Sequence, residues 1–221
     1  MNIGLHLHDA PADSFWNRLC FALEQGFSTV YITPTKVLPG LTPTNAARRL
    51  DDHLNEQVRC ALKLSRLNCP IVGCAVDPTL PEAEAAYRAH MRFAKRIGAK
   101  YLCPEASQEA ILAALPRLME WSKDEGMPLA VNACQPAAVP EGLGVILNLR
   151  ETPCEVSPRD SARICAVRLP AMETIRGSAR LSNVLRVADS RGLPILLRNV
   201  TVENADAVRR WIEARQTGMS A

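Results

Sequence analysis

The chain has 221 residues, 48% of them apolar, and a formal charge of +3. That length and composition suit one fully cored domain, so a single barrel-sized domain over 1–221 is expected. Lys and Arg are scattered rather than clustered, which argues against a nucleic-acid tail or a membrane-binding patch.

The opening Met1-Asn2-Ile3-Gly4-Leu5 carries no basic leader, and no segment approaches the ~20 apolar residues of a membrane span, so a cytoplasmic protein is expected. Cys20, Cys60, Cys69, Cys74, Cys103, Cys134, Cys154 and Cys165 show no C-x-x-C spacing. Reduced, mostly buried thiols are the expectation.

Along the chain, an amphipathic helix ends at a glycine four times, and an apolar run follows within a few residues. Gly26 precedes Val30-Tyr31-Ile32, Gly98 precedes Tyr101-Leu102, Gly126 precedes Leu129-Ala130-Val131, and Gly192 precedes Ile195-Leu196-Leu197. A helix closed by left-handed glycine and followed by a short apolar run reads as an α-to-β unit of a buried parallel sheet.

Strands are predicted over 2–8, 28–33, 70–76, 99–103, 128–133, 143–149, 163–169 and 193–199, and helices over 13–25, 45–67, 81–97, 107–125, 179–191 and 202–215. Leu50, Leu54, Val58, Ala61 and Leu64 form the stripe of the second helix. Residues 134–142 hold Pro136, Pro140 and Gly142, and residues 150–162 hold Pro153 and Pro158, so neither connection has room for more than a helical turn. Eight strands with six clear helices predict a compact α/β (β/α)8 TIM-type barrel whose helices after strands five and six are shortened or absent. Outward apolar side chains of those strands should then be bare, which predicts a homodimer or hetero-oligomer packed there. An open doubly wound sheet fits the same alternation, but His6-Leu7-His8-Asp9-Ala10-Pro11 stands where a Gly-x-Gly-x-x-Gly loop would be needed for nucleotide binding.

The run Phe93-Ala94-Lys95-Arg96-Ile97-Gly98-Ala99-Lys100-Tyr101-Leu102 resembles the "lA..lGa..v" approach to strand four of xylose-isomerase-like barrels. Glu125-Gly126 with Pro128-Leu129-Ala130-Val131 resembles that family's approach to strand five. The resemblance covers nearly the whole chain. It implies a site at the carboxyl ends of the strands, where carboxylates and histidines hold a divalent metal that polarises a sugar substrate. At the matching positions this chain departs. Asn132 stands for the metal-binding Glu of strand five, Asn148 and Glu151 for the Asp and His of strand six, Arg168 for the His of strand seven, and Arg198, followed by Asn199, for the Glu of strand eight. Arginine is a permanent cation that repels a metal and attracts carboxylate or phosphate. No metal and no other cofactor are therefore expected.

The candidate catalytic residues are His6, His8 and Glu105; the candidate substrate-binding residues are Asn132, Asn148, Arg150, Arg168 and Arg198, with a small anionic molecule as partner and no nucleic acid or membrane. His6 and His8, two apart on a predicted strand, share a face. They read as metal ligands, as a general acid/base, or as structural histidines. The amidohydrolase reading of this pair lacks its further histidines and aspartate, because Asn132, Asn148 and Asn199 fill those places. Glu105 reads either as a base or as the cap of the helix starting near Ser107, and Asp77 shares that ambiguity. The arginines read as an anion clamp or as members of an internal salt-bridge network. His90 reads as packing, His53 as solvated, and Cys103 and Cys134 as structural thiols. Two functions follow: an isomerase or epimerase of a small phosphorylated or carboxylated sugar-like molecule, or a non-catalytic barrel serving as a binding or scaffold subunit. An apurinic endonuclease would need metal ligands and a basic groove that this sequence does not display.

Overall fold

A computed structural model describes residues 2–148, 158–171 and 179–216. Eight parallel strands run in the order β4-β3-β2-β1-β8-β7-β6-β5. They are β1 Ile3–His6, β2 Thr29–Ile32, β3 Asn68–Cys74, β4 Tyr101–Pro104, β5 Ala130–Ala133, β6 Gly144–Asn148, β7 Ile164–Pro170 and β8 Ile195–Arg198. The seam between β4 and β5 is stitched by the parallel bridge Leu102↔Leu129 and by the Leu102 amide donating to the Pro128 carbonyl at 2.9 Å. The sheet is thus a nearly closed barrel, and each predicted strand has its counterpart.

Helices lie between the strands: α1 Phe15–Glu24, α2 Pro34–Val37, α3 Ala46–Arg49, α4 Asp52–Leu64, α5 Ala83–Ile97, α6 Gln108–Ala113, α7 Leu115–Glu125, α8 Pro158–Arg163, α9 Ala179–Ser190 and α10 Val202–Gln216. Ser14, Asp51 and Ser107 cap α1, α4 and α6 by accepting the amides of Asn17, Leu54 and Ala110. Gly98 and Gly126 close α5 and α7 at φ 84° and 59°, the left-handed conformation that the glycine pattern implied. No helix among the described residues is long and apolar enough to cross a membrane.

Three readings are corrected. The single helix over 45–67 is two, because Asp51 caps a fresh start; Leu50 lies between them and Leu64 is exposed, while Leu62 takes the buried place on the stripe. The helix over 107–125 divides at Ala114, with Pro116 in the first turn of α7, where its missing N–H costs nothing. Strands five and six are not bare. Val131, Val145 and Leu147 are 7%, 0% and 3% exposed, packed in one apolar cluster with Val139 and Leu143. The chain after β5 forms a 3-10 turn, Pro136–Ala138, and Arg163 of α8 holds that connection down by donating to the carbonyls of Val139, Pro140 and Leu143. A proline-rich segment thus does the covering that a helix does elsewhere in the barrel, and an oligomer on that side loses the argument that prompted it.

Inside the barrel, strand alternation stacks one side chain above another. Gly4, Ile71, Tyr101, Ala130, Ile146, Ala166 and Leu196 fill the lower and middle interior. Continuing each strand by two residues puts His6, Gly73, Cys103, Asn132, Asn148, Arg168 and Arg198 at the carboxyl end, where barrels of this kind place their chemistry.

Candidate active site

His6, His8, Lys36, Glu105, Asn132, Arg168 and Arg198 line one cleft of about 200 Å³ at that end. Five elements and their connections converge there, so residues far apart in sequence meet because the strands are parallel. Six of the eight candidate residues line it directly. Asn148 lies beside it on β6, opposite Arg168 in register, and also lines the neighbouring hollow described below. Arg150, with Glu151, lies outside the described residues.

Glu105 is the best-anchored group. Its amide donates to the Cys74 carbonyl at 2.8 Å, fixing the residue just past β4. One carboxylate oxygen accepts from Tyr31 Oη at 2.8 Å and Thr33 Oγ1 at 3.0 Å, and the other from Lys36 Nζ at 2.7 Å. Gly73 makes the space: a Cβ there would stand 2.6 to 2.7 Å from Thr33 Oγ1, Glu105 Oε1 and Tyr31 Oη. Burial alone would raise the Glu105 carboxyl, but Lys36, Tyr31 and Thr33 together outweigh it and hold it below the usual carboxylate range. Glu105 does not cap α6; Ser107 does.

His6 stacks on Tyr31 with ring centroids 4.3 Å apart and meets His8 edge-on at 5.4 Å. It is 1% exposed, and among the described residues neither ring nitrogen has a hydrogen-bond partner. Burial, then the charges of Arg168, His8, Arg198 and Lys36, push its pKa well below that of free imidazole, so it is neutral at pH 7. His8 corrects the expectation of a shared strand face. The strand ends at His6, and Leu7–Asp9 is a 3-10 turn braced by Arg18, which donates to the carbonyls of Leu7 and His8. The turn swings His8 back over the mouth, where its Nε2 lies 3.3 Å from Asp9 Oδ1. Its pKa is also lowered, by burial first, against the opposing pull of Asp9.

Arg168 is 6% exposed, and its guanidinium lies over the Tyr31 ring at 5.0 Å. Among the described residues, its Nε and Nη2 have no hydrogen-bond partner, nor does Arg198 Nε. Arg198 is positioned from the following residue: Asn199 adopts φ 56°, and its amide donates to Asp9 Oδ2 at 3.1 Å, tying the end of β8 to that of β1. Asn132 donates from Nδ2 to Cys103 Sγ at 3.3 Å and leaves Oδ1 unpartnered. Burial lifts the Cys103 thiol to about 11, which fits a structural thiol. Cys134 is exposed.

Tyr31, Thr33 and Lys36 are site residues that the sequence reading did not single out. The signal lies in β2 and the residue just past it, where Thr29, Tyr31 and Thr33 place hydroxyls at alternate positions. His90 is buried with Nδ1 2.8 Å from the Ala86 carbonyl, and His53 is exposed and contacts Gln57, as expected of both.

No family model and no curated protein matches this sequence. Solved structures do match its fold. A probable 3-DHS dehydratase involved in petrobactin synthesis from Bacillus anthracis superposes with a TM-score of 0.67 at 10% identity, covering 98% of this chain and 99% of that one. A xylose isomerase domain containing protein from Salmonella typhimurium gives 0.64 at 18%, covering 99% and 97%. Endonuclease IV from Thermus thermophilus gives 0.62 at 14%, covering 99% and 100%. The chain therefore has the xylose-isomerase-like TIM-barrel fold.

Proposed function

We propose that the cleft binds a small anionic, sugar-like molecule and moves a proton on it, in the manner of a sugar-phosphate isomerase or epimerase, without the divalent metal of the xylose-isomerase-like barrels. One observation supports this most: among the described residues, a buried guanidinium with two unpartnered nitrogens, Arg168, stands beside a buried neutral imidazole with two unpartnered nitrogens, His6. Buried polar groups are ordinarily satisfied, so their convergence on one cavity favours a polar ligand that completes them. Arg168 and Arg198 offer hydrogen bonds to a carboxylate or phosphate. Of the two readings open for the arginines, the unpartnered atoms favour an anion clamp over an internal ion-pair network.

The donor set does not suit a divalent cation. Among the described residues the carboxylate lining the cleft is Glu105, already bound to Lys36, Tyr31 and Thr33, and Arg168, Arg198 and Lys36 surround the remaining space. The described residues contain no cluster of three His, Cys, Asp or Glu placed to hold a metal. The chemistry assigned here is proton abstraction next to a carbonyl. His6, neutral and unbonded, accepts the proton from the carbon that bears a hydroxyl; the electron pair moves onto the carbonyl oxygen, where the guanidinium groups stabilise the enediolate charge; the hydroxyl proton passes to that oxygen, and protonated His6 returns its proton to the former carbonyl carbon as the second oxygen becomes the new carbonyl. Glu105 is less suited to be the base, because both its oxygens already accept hydrogen bonds from Tyr31, Thr33 and Lys36. Its role here is to fix Tyr31 and Lys36.

Thermal melts with phosphosugars, phosphate and dicarboxylates, against chloride at equal ionic strength, test the reading. A ligand that binds the folded state stabilises it by about 2.7 kcal/mol at a hundredfold excess over Kd. The rise in Tm is expected with the anions, and Arg168→Met with Arg198→Met removes it while leaving the circular dichroism of the folded protein unchanged. No anion-specific shift in the unmodified protein would favour the non-catalytic scaffold.

A further inference from the structure

Next to the charged cleft lies a second, larger hollow of about 380 Å³, and the two share Asn132. Its lining has an opposite character. Pro104, Ile111, Leu112, Val131, Val139 and Leu143 form an apolar wall, the carboxamides of Gln108, Asn132, Gln135 and Asn148 also line it, and among the described residues none around it is charged. It runs from the mouth over the end of β5, in the space left because the chain there makes a 3-10 turn instead of a helix. Ile111 is only partly buried, and Leu112, on α6, is 45% exposed, so among the described residues no side chain fills the space against this apolar wall. At the junction, the Asn132 carboxamide presents an unpartnered Oδ1.

We propose that the hollow receives an apolar substituent of the same ligand whose anionic end lies between Arg168 and Arg198, so that the substrate class is a sugar-like acid or phosphate ester bearing one hydrocarbon or aryl group. The proposal rests on the anion-site reading given above. The carboxamides can pair some hydroxyls, but a hydroxyl set against Pro104, Ile111, Leu112, Val131, Val139 and Leu143 loses its water without gaining a partner, which costs free energy for each one left unbonded. An aryl or alkyl body gains from leaving water. The volume lies toward the small end of ligand pockets, which sets the size of that group at about one ring.

Isothermal titration of the whole chain with propionate, 3-phenylpropionate and glucose 6-phosphate tests this. Burial of a phenyl-sized group corresponds to about ten- to a hundredfold tighter binding of 3-phenylpropionate than of propionate. Two substitutions on exposed positions of the hollow, Ala138→Trp to fill it and Leu112→Asp to charge its rim, should erase that advantage and leave propionate binding unchanged. Cys134 lines the hollow and is exposed, so 3-phenylpropionate should slow its alkylation by N-ethylmaleimide, while exposed Cys60 on α4 reacts at an unaltered rate. Equal affinity for propionate and 3-phenylpropionate, or tighter binding of glucose 6-phosphate that neither substitution affects, overturns the apolar subsite and leaves the anion site standing. Absence of binding by all three acids overturns both.

Discussion

The guanidinium of Arg168 lies 5.0 Å over the ring of Tyr31, whose hydroxyl donates to Glu105 at 2.8 Å. One aromatic side chain therefore links the anion-facing cation to the pinned carboxylate, and its other contact is the stacked imidazole of His6. Tyr31→Phe keeps the ring and removes one hydrogen bond to a charged acceptor. It should destabilise the protein by about 1–2 kcal/mol in urea unfolding, since Thr33 and Lys36 still hold Glu105. Tyr31→Leu also removes the platform under Arg168 and His6. It should cost more, and it should abolish anion-dependent stabilisation that Tyr31→Phe retains. Equal effects of the two substitutions would show that the ring does not position the site.

Gly73 is required for space and not for conformation. Any side chain there meets Glu105, Tyr31 and Thr33 within 2.7 Å, two of those atoms belonging to rigid or buried groups. Gly73→Ala should therefore force Glu105 out of its cradle, with a loss of about 1–3 kcal/mol on the scale of overpacked cores. The same substitution should weaken the response to anions, because Lys36 is released from Glu105 and Tyr31 shifts beneath Arg168. Unchanged stability together with an unchanged anion response would place the Glu105 network outside the function.

Divalent ions should leave the protein unaffected. Millimolar Mg2+, Mn2+ or Zn2+ is expected to produce no shift in Tm, since Arg168, Arg198 and Lys36 repel a cation from the cleft and Glu105 is already occupied. Elemental analysis of dialysed protein showing about one such ion per chain would refute the metal-free reading, and His6→Ala and His8→Ala would then identify its ligands.

Much of the barrel was legible in the sequence because its strands are short apolar runs set off by helix-closing glycines, a local signal that survives without tertiary information. The arginines at the mouth were legible for a related reason: Arg168 and Arg198 each continue the interior-facing positions of an apolar strand. What local patterns do not carry is where the chain leaves a strand. His8 stands two residues after His6 and yet lies in a 3-10 turn, because the bracing by Arg18 comes from α1 and cannot be seen in the first ten residues. Lys36 meets Glu105 across 69 positions, and nothing near either residue announces the pair. The covering of β5 and β6 likewise depends on Arg163 reaching back to carbonyls about twenty residues earlier.

Two buried histidines set the behaviour of the protein below neutrality. Burial lowers His90 to about 4, and burial with the charges of Arg168, His8, Arg198 and Lys36 lowers His6 well below its free value of 6.5. In each case the unfolded chain binds a proton at a pH where the folded chain does not, so stability rises with pH through the window and falls as the pH drops below about 6.5. For His90 the decline runs from about 6.5 to about 4 and amounts to the order of 3 kcal/mol. His90→Leu should flatten that part of the curve. The two histidines differ in their response to ligand. His90, on α5, contacts the Ala86 carbonyl and is not among the residues lining the cleft, whereas an anion held by Arg168 and Arg198 neutralises two of the charges that depress His6. Saturating phosphate or 3-phenylpropionate should thus raise stability more at pH 5.5 than at pH 8, beyond what its own ionisation explains, and His6→Phe should remove the excess while His90→Leu does not. An anion effect independent of pH in the unmodified protein would separate His6 from the arginines and remove it from the proposed chemistry.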